Sequence, residues 1–245
     1  MQDYVFDYNE YKKRTKKPVK FNFSLTIFFV IILLGLCVFL NQPKLTQIEY
    51  NFVEIGQFAT YSQASKTAKN LSAQNGAGFV YFDNCYHVFA GFYTTKTDAE
   101  KVAKNIVEFY PNAVATTISA TQFRTKKSLS KSQNSATKNL INTTENTIST
   151  LSKLSIGIDS NNISSINISL KLEQIKDDFS SALNSLYIAF DGNKNNRFDI
   201  AKYLTEIEDS LTNIKATTSQ DLPQKIKYEL INIVVNHIRF LQAIA

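Results

Sequence analysis

A run of twenty uncharged, mostly apolar residues, Phe21–Leu40 (FNFSLTIFFVIILLGLCVFL), constrains this chain more than any other feature. At about 1.5 Å per residue, a helix of that length spans the roughly 30 Å hydrocarbon core of a bilayer. It is apolar on every side, so lipid suits it better than one-sided packing in a protein core. A cleavable signal would have a shorter apolar region and a small-x-small cleavage site. Here Asn41-Gln42-Pro43-Lys44 follows instead, so the run reads as a retained anchor. Lys12, Lys13, Arg14, Lys16, Lys17 and Lys20 precede it, and only Lys44 follows closely. The positive-inside rule then keeps residues 1–20 in the cytoplasm and places 41–245 outside the cell membrane.

The basic cluster also explains much of the formal net charge of +6, which removes the main hint of nucleic acid. Charged residues make up 20% of the chain and apolar ones 44%, too apolar for a disordered polyelectrolyte. Of the two cysteines, Cys37 lies inside the apolar run and Cys85 far beyond it. A disulfide between them is geometrically implausible. His87 and His237 are far apart in sequence, and no Cys or His pair has metal spacing.

Residues 45–120 alternate between strand and helix signals. Tyr50–Phe58 is aromatic and β-branched, which reads as a strand. Ala64, Ala68 and Leu71 mark a helix over 60–73. After Asn75-Gly76-Ala77-Gly78, strands at Phe79–Phe82 and Tyr86–Phe92 join as a hairpin through Asp83-Asn84. A second helix follows over 95–110, stopped by Pro111-Asn112, and a last strand covers 113–118. The order β-α-β-β-α-β predicts a four-stranded antiparallel sheet with both helices on one face, a ferredoxin-like arrangement. Strand alternation assigns Val53, Ile55, Val88 and Ala90 to the helix-covered face. It puts Phe52, Glu54, His87 and Phe89 on the other face, expected to be open.

Glu54-Ile55-Gly56-Gln57-Phe58 is similar to the opening strand of the SPOR (sporulation-related repeat) family. Tyr86-His87-Val88-Phe89-Ala90-Gly91-Phe92-Tyr93 resembles the family's third strand, and the following 94–100 its helix start. The two halves also parallel each other: Ile55-Gly56-Gln57-Phe58-Ala59-Thr60 matches Ala90-Gly91-Phe92-Tyr93-Thr94-Thr95. The resemblance implies a domain that binds peptidoglycan glycan strands stripped of their stem peptides, on the open sheet face, in cell division or sporulation. Carried over by position, Glu54 stands where the family has Gln, Gln57 where it has Ser, and His87 where it has Arg. Glu54 would accept hydrogen bonds from sugar hydroxyls but, ionised, cannot donate them. Phe52, Tyr81 and Phe89 would offer rings to sugars, or else fill the sheet surface or meet the C-terminal part of the chain. The alternative is a scaffold without glycan affinity, whose helical part docks onto a division or sporulation membrane protein.

The segment 121–134 is rich in Lys, Ser, Thr and Gln and reads as a mobile linker. From 135 to 245 the apolar spacing is helical, predicting an antiparallel bundle. A first helix carries Leu140, Thr144, Ile148, Leu151 and Leu154, and is expected to break at Ile156-Gly157. Stripes at Leu172–Phe190, Ile200–Ile214 and Ile226–Ile244 give three more. The last is apolar on several sides, so it is the central helix or carries an interface, and His237 on it reads as packed or hydrogen-bonded rather than ligating. Asp191–Asp199 resembles a calcium loop, but Lys202 stands where a bidentate Glu is required, so a polar turn is the better reading. No catalytic constellation is visible, including any Cys nucleophile paired with a His. No enzyme activity, cofactor, metal or nucleic-acid partner is expected.

Overall fold

The computed structural model of the chain describes residues 46–160, 165–190, 198–215, 217 and 221–244. The expected tail and anchor (1–40) and residues 191–197 of the polar turn lie outside these. Among the described residues no helix is long and apolar enough to cross a membrane.

Four strands form one antiparallel sheet: β1 (Gln47–Phe58), β2 (Phe79–Asp83), β3 (Cys85–Tyr93) and β4 (Val114–Thr121), in the spatial order β2-β3-β1-β4. Helix α1 (Tyr61–Ser72) follows β1, and α2 (Lys96–Ile106) follows β3. The two halves turn from strand to helix by the same device. Thr60 and Thr95, paired in the internal repeat, are both N-caps whose hydroxyls accept from the backbone N–H of Gln63 and Asp98. Asn84, at φ +59°, turns the β2–β3 hairpin. Gly78, at φ +61°, leads the chain from α1 into β2.

Alternation sorts the first sheet face as expected. Val53, Ile55 and Val88 are buried under α1 and α2, which approach closely through Ala64, Ala68, Ala99 and Ala103. The second face is not open. Tyr50, Phe52, Phe79, Phe89 and Phe92 belong to one continuous core with the C-terminal helices. These are α3 (Lys131–Asp159), α4 (Ser165–Ala189), α5 (Phe198–Lys215) and α6 (Leu222–Ile244). The physical reason is area. Burying a large side chain is worth about 1.5–3 kcal/mol, and five aromatics on one face would leave that unclaimed in water.

The helices form the expected antiparallel bundle. Lys215 meets Glu173 and Ser180 meets Glu208 across α4 and α5. Asn213 meets Glu229 and Asn232 meets Ser210 across α5 and α6. Both sets run in opposite register. Lys227 at the start of α6 reaches Asp159 at the end of α3, 2.8 Å apart, which closes the ring of helices. Helix α6 is central: Ile226, Leu230, Ile231, Ile233, Val234, Phe240 and Leu241 are all buried, between the other helices and the sheet.

Two local expectations are corrected. Helix α3 runs through Ile156-Gly157 to Asp159 without a break. The segment expected to be a mobile linker is pinned by Asn134. Its amide donates to the carbonyls of Lys126, Leu129 and Ser130, and its oxygen accepts from the N–H of Lys126. Ser130 and Gln133 then close a capping box on α3. Leu45–Ala245 form one compact unit.

Candidate functional site

All six residues singled out from the sequence turn to the same sheet face, but the helical layer divides them. Phe52 and Phe89 are 0% and 1% exposed, stacked 4.8 Å apart under the bundle. Glu54 is 2% exposed. For these three the expectation of an open face is corrected, because all are buried. Gln57 is exposed, and Tyr81 and His87 are half-buried. They form a strip at the hairpin end of the sheet, where the helical layer thins out. Arg239, exposed on α6, lies 5.8 Å from the centre of the Tyr81 ring and marks the border of the strip. Burial, aided by Asp83 and opposed by Arg239, raises the pKa of Tyr81.

Simple alternation would send Glu54 and Gln57, three residues apart, to opposite faces. The β1–β3 register shifts between Glu54 and Gly56, and this bulge returns Gln57 to the face of Glu54, opposite His87. A second shift, between Val53 and Glu54, likewise brings Phe92 to the face of Phe89.

The strip holds a side-chain relay drawn from three strands. The Cys85 Sγ and His87 Nε2 are 3.3 Å apart, two residues along β3 on one face. The other ring nitrogen, Nδ1, is 3.1 Å from Oε1 of Glu54 on β1. The Thr116 hydroxyl on β4 donates to Glu54 Oε2 at 2.7 Å. Both carboxylate oxygens are therefore engaged, which compensates a buried acid. In the tautomer that donates Nδ1–H to Glu54, Nε2 turns its lone pair to the thiol. The Gln57 side-chain oxygen lies 3.9 Å from the same sulfur. Among the described residues Cys85 is a free cysteine, half-buried at the start of β3.

The expectation that no cysteine pairs with a histidine is corrected here. Spacing of two on a strand was the available signal, since it places both side chains on one face. Alternation assigns Glu54 to that face as well, but no sequence signal pairs it with His87.

A second polar spot lies beneath α6. The His237 ring is fully buried, edge-on to Tyr50 at 6.1 Å and stacked on Phe240. Among the described residues neither of its nitrogens nor the Tyr50 hydroxyl has a hydrogen-bond partner. Burial pulls the His237 pKa down to about 3. Burial, and then the charge of Glu145, push that of Tyr50 well above its usual range. The histidine is packed, as expected. Among the described residues no group of three or more His, Cys, Asp or Glu side chains could hold a metal ion. Neither a known family model, nor a curated protein, nor a solved structure matches the chain.

Proposed function

We propose that the chain is a membrane-anchored scaffold of the cell envelope. Its sheet serves as a platform for the helical layer rather than as a groove for glycan. One observation carries this reading: the sheet face that the SPOR resemblance assigns to glycan is the floor of a shared core, with Phe52 and Phe89 sealed under α6. That helix is no removable lid. Its other sides hold the bundle together, so lifting it would bare Ile226, Leu230, Ile233 and Leu241 along with the aromatics. Burial of that size resists opening by many times thermal energy.

The anchor reading of Phe21–Leu40, with the six basic residues before it, supports a location of the rest of the chain outside the cytoplasmic membrane. The place in division or sporulation rests on the family resemblance, as does a membrane-protein partner. A cleft of ≈ 260 Å³ supports a binding role. It is lined by Phe92, Val102, Ile106 and Leu230, with Phe109 and Ile156 exposed on its lip, and exposed apolar surface of this kind is what a protein partner would cover.

The strip supports a second reading. Gln57, Tyr81 and His87 still reach solvent beside Arg239, and could hold a short stretch of glycan at the edge of the sheet. Co-sedimentation of residues 45–245 with intact and with stem-peptide-stripped peptidoglycan separates the two. The scaffold reading expects equal, background recovery in both. Enrichment on stripped wall that falls with Tyr81→Ala supports the edge-binding reading.

A further inference from the structure

We propose that Cys85 is an activated thiol that exchanges with disulfides, with His87 as its base and Glu54 as the residue that positions the base. This goes beyond the scaffold reading and stands independently of it.

The relay contains the parts such a thiol needs. A nucleophile lies within reach of a base, and the base is oriented by a third group. Here the sulfur is 3.3 Å from Nε2, Nδ1 is 3.1 Å from Glu54, and Thr116 fixes the carboxylate from the far side. The depth of the groups is graded. Glu54 is sealed, the His87 side chain is 15% exposed, and Cys85 opens toward solvent beside the hairpin turn. The positioning groups are thus held in a dry sheet while the sulfur meets its reactant. The His87 ring is held further by stacking on Phe89, at 6.1 Å and 29°. A thiol placed only for packing needs neither a base nor a buried carboxylate behind that base.

The step balances without any further reagent. The Sγ proton passes to His87 Nε2, giving a thiolate beside an imidazolium whose charge Glu54 faces. The thiolate attacks one sulfur of a substrate disulfide. A bond forms between Cys85 Sγ and that sulfur as the old S–S bond breaks, and the departing thiolate takes the proton back from Nε2. Cys85 is oxidised to a mixed disulfide and the substrate sulfur that leaves is reduced. No second cysteine lies beside it among the described residues, so the mixed disulfide persists until an external thiol attacks it. The product is a covalent link to a disulfide-bearing partner, protein or small molecule.

The test uses the full chain in detergent with Cys37→Ser, so that Cys85 is the sole thiol. The probe is 5,5′-dithiobis(2-nitrobenzoate), a small disulfide whose leaving thiolate is coloured. Rates are followed from pH 5.5 to 9.5. The charged or titratable side chains around the thiol are Glu54, His87, Asp83, Tyr81 and Arg239, and the last three stay unchanged in all variants. His87→Gln is expected to slow the reaction about tenfold or more at pH 6.5, with the gap closing near pH 9.5, where any thiol is ionised. Glu54→Gln is expected to give an intermediate rate. Equal rates for parent and His87→Gln at pH 6.5, or a parent thiol that does not react in the folded protein, would overturn the proposal. Unfolding would speed the reaction of a half-buried thiol. A slowed His87→Gln variant with an unchanged melting profile therefore reads only as loss of the base.

Discussion

His237 shows how a single side chain can carry a pH dependence for the whole unit. Its ring is neutral in the folded core, with a pKa lowered to about 3 from the ordinary 6.5. Below about pH 6.5 the unfolded chain binds a proton there that the folded one does not. Stability from this residue is therefore complete above that pH and declines as pH falls toward 3, by up to about 1.4 kcal/mol per unit. His237→Phe keeps a ring between Tyr50 and Phe240 and removes two buried nitrogens that have no partner among the described residues. Denaturant melts at pH 7.5 and 5.5 are expected to show the parent losing about 1 kcal/mol more than the variant between the two. Equal losses would mean that the ring is not held neutral. The residue's place on an apolar stripe was legible in the sequence, because heptad-like spacing names the buried side of a helix. Its lack of polar partners was not legible, because those would come from other elements.

Among the elements, strand order and helix starts were the most readable, because each is signalled locally. Thr60 and Thr95 cap helices at matching points of an internal repeat. Two kinds of feature escaped. The β1–β3 bulges reset the side-chain alternation, and a bulge has no residue signature comparable to a cap. Asn134 ties down a segment that looks mobile, through bonds to residues up to eight positions away. Gly78 shows the opposite case, a residue whose identity the geometry demands. At φ +61° a β-carbon would lie 2.4 Å from the Ala68 carbonyl oxygen and 2.1 Å from the Ser72 hydroxyl. Gly78→Ala is expected to destabilise the unit by about 1–3 kcal/mol or more. Thermal unfolding checks this, and a variant melting with the parent would show that the α1–β2 turn relaxes freely.

At the scale of the whole molecule, the sequence conveyed the sheet and the bundle separately and left their union as one alternative to an open face. Each half taken alone has an amphipathic solution: the sheet buries one face under α1 and α2, and the helices bury a common stripe. The surplus was visible in residues. Phe52, Phe79 and Phe89 gave the sheet a second apolar face, and the last helix was apolar on more than one side. Each surplus needed the other, and pattern reading treats them one at a time. Hydrogen bonds from Gln224 to the Ala77 carbonyl and from Lys227 to the Asn75 carbonyl, together with the Phe79–Tyr228 ring contact, fix the halves in register. A fragment of residues 45–120 is therefore expected to self-associate and to bind a hydrophobic dye, while 45–245 stays monodisperse in size-exclusion chromatography. A soluble, dye-silent fragment would show that the aromatic face tolerates water.

The central claim is that this sheet is a platform sealed by its own helices. Recovery of residues 45–245 on stem-peptide-stripped peptidoglycan, against intact wall in moderate salt, tests it most directly. The account predicts background recovery on both. Saturable enrichment on the stripped wall, abolished by Phe52→Ala in a variant that remains folded, would contradict it and mean that the aromatic face opens to glycan.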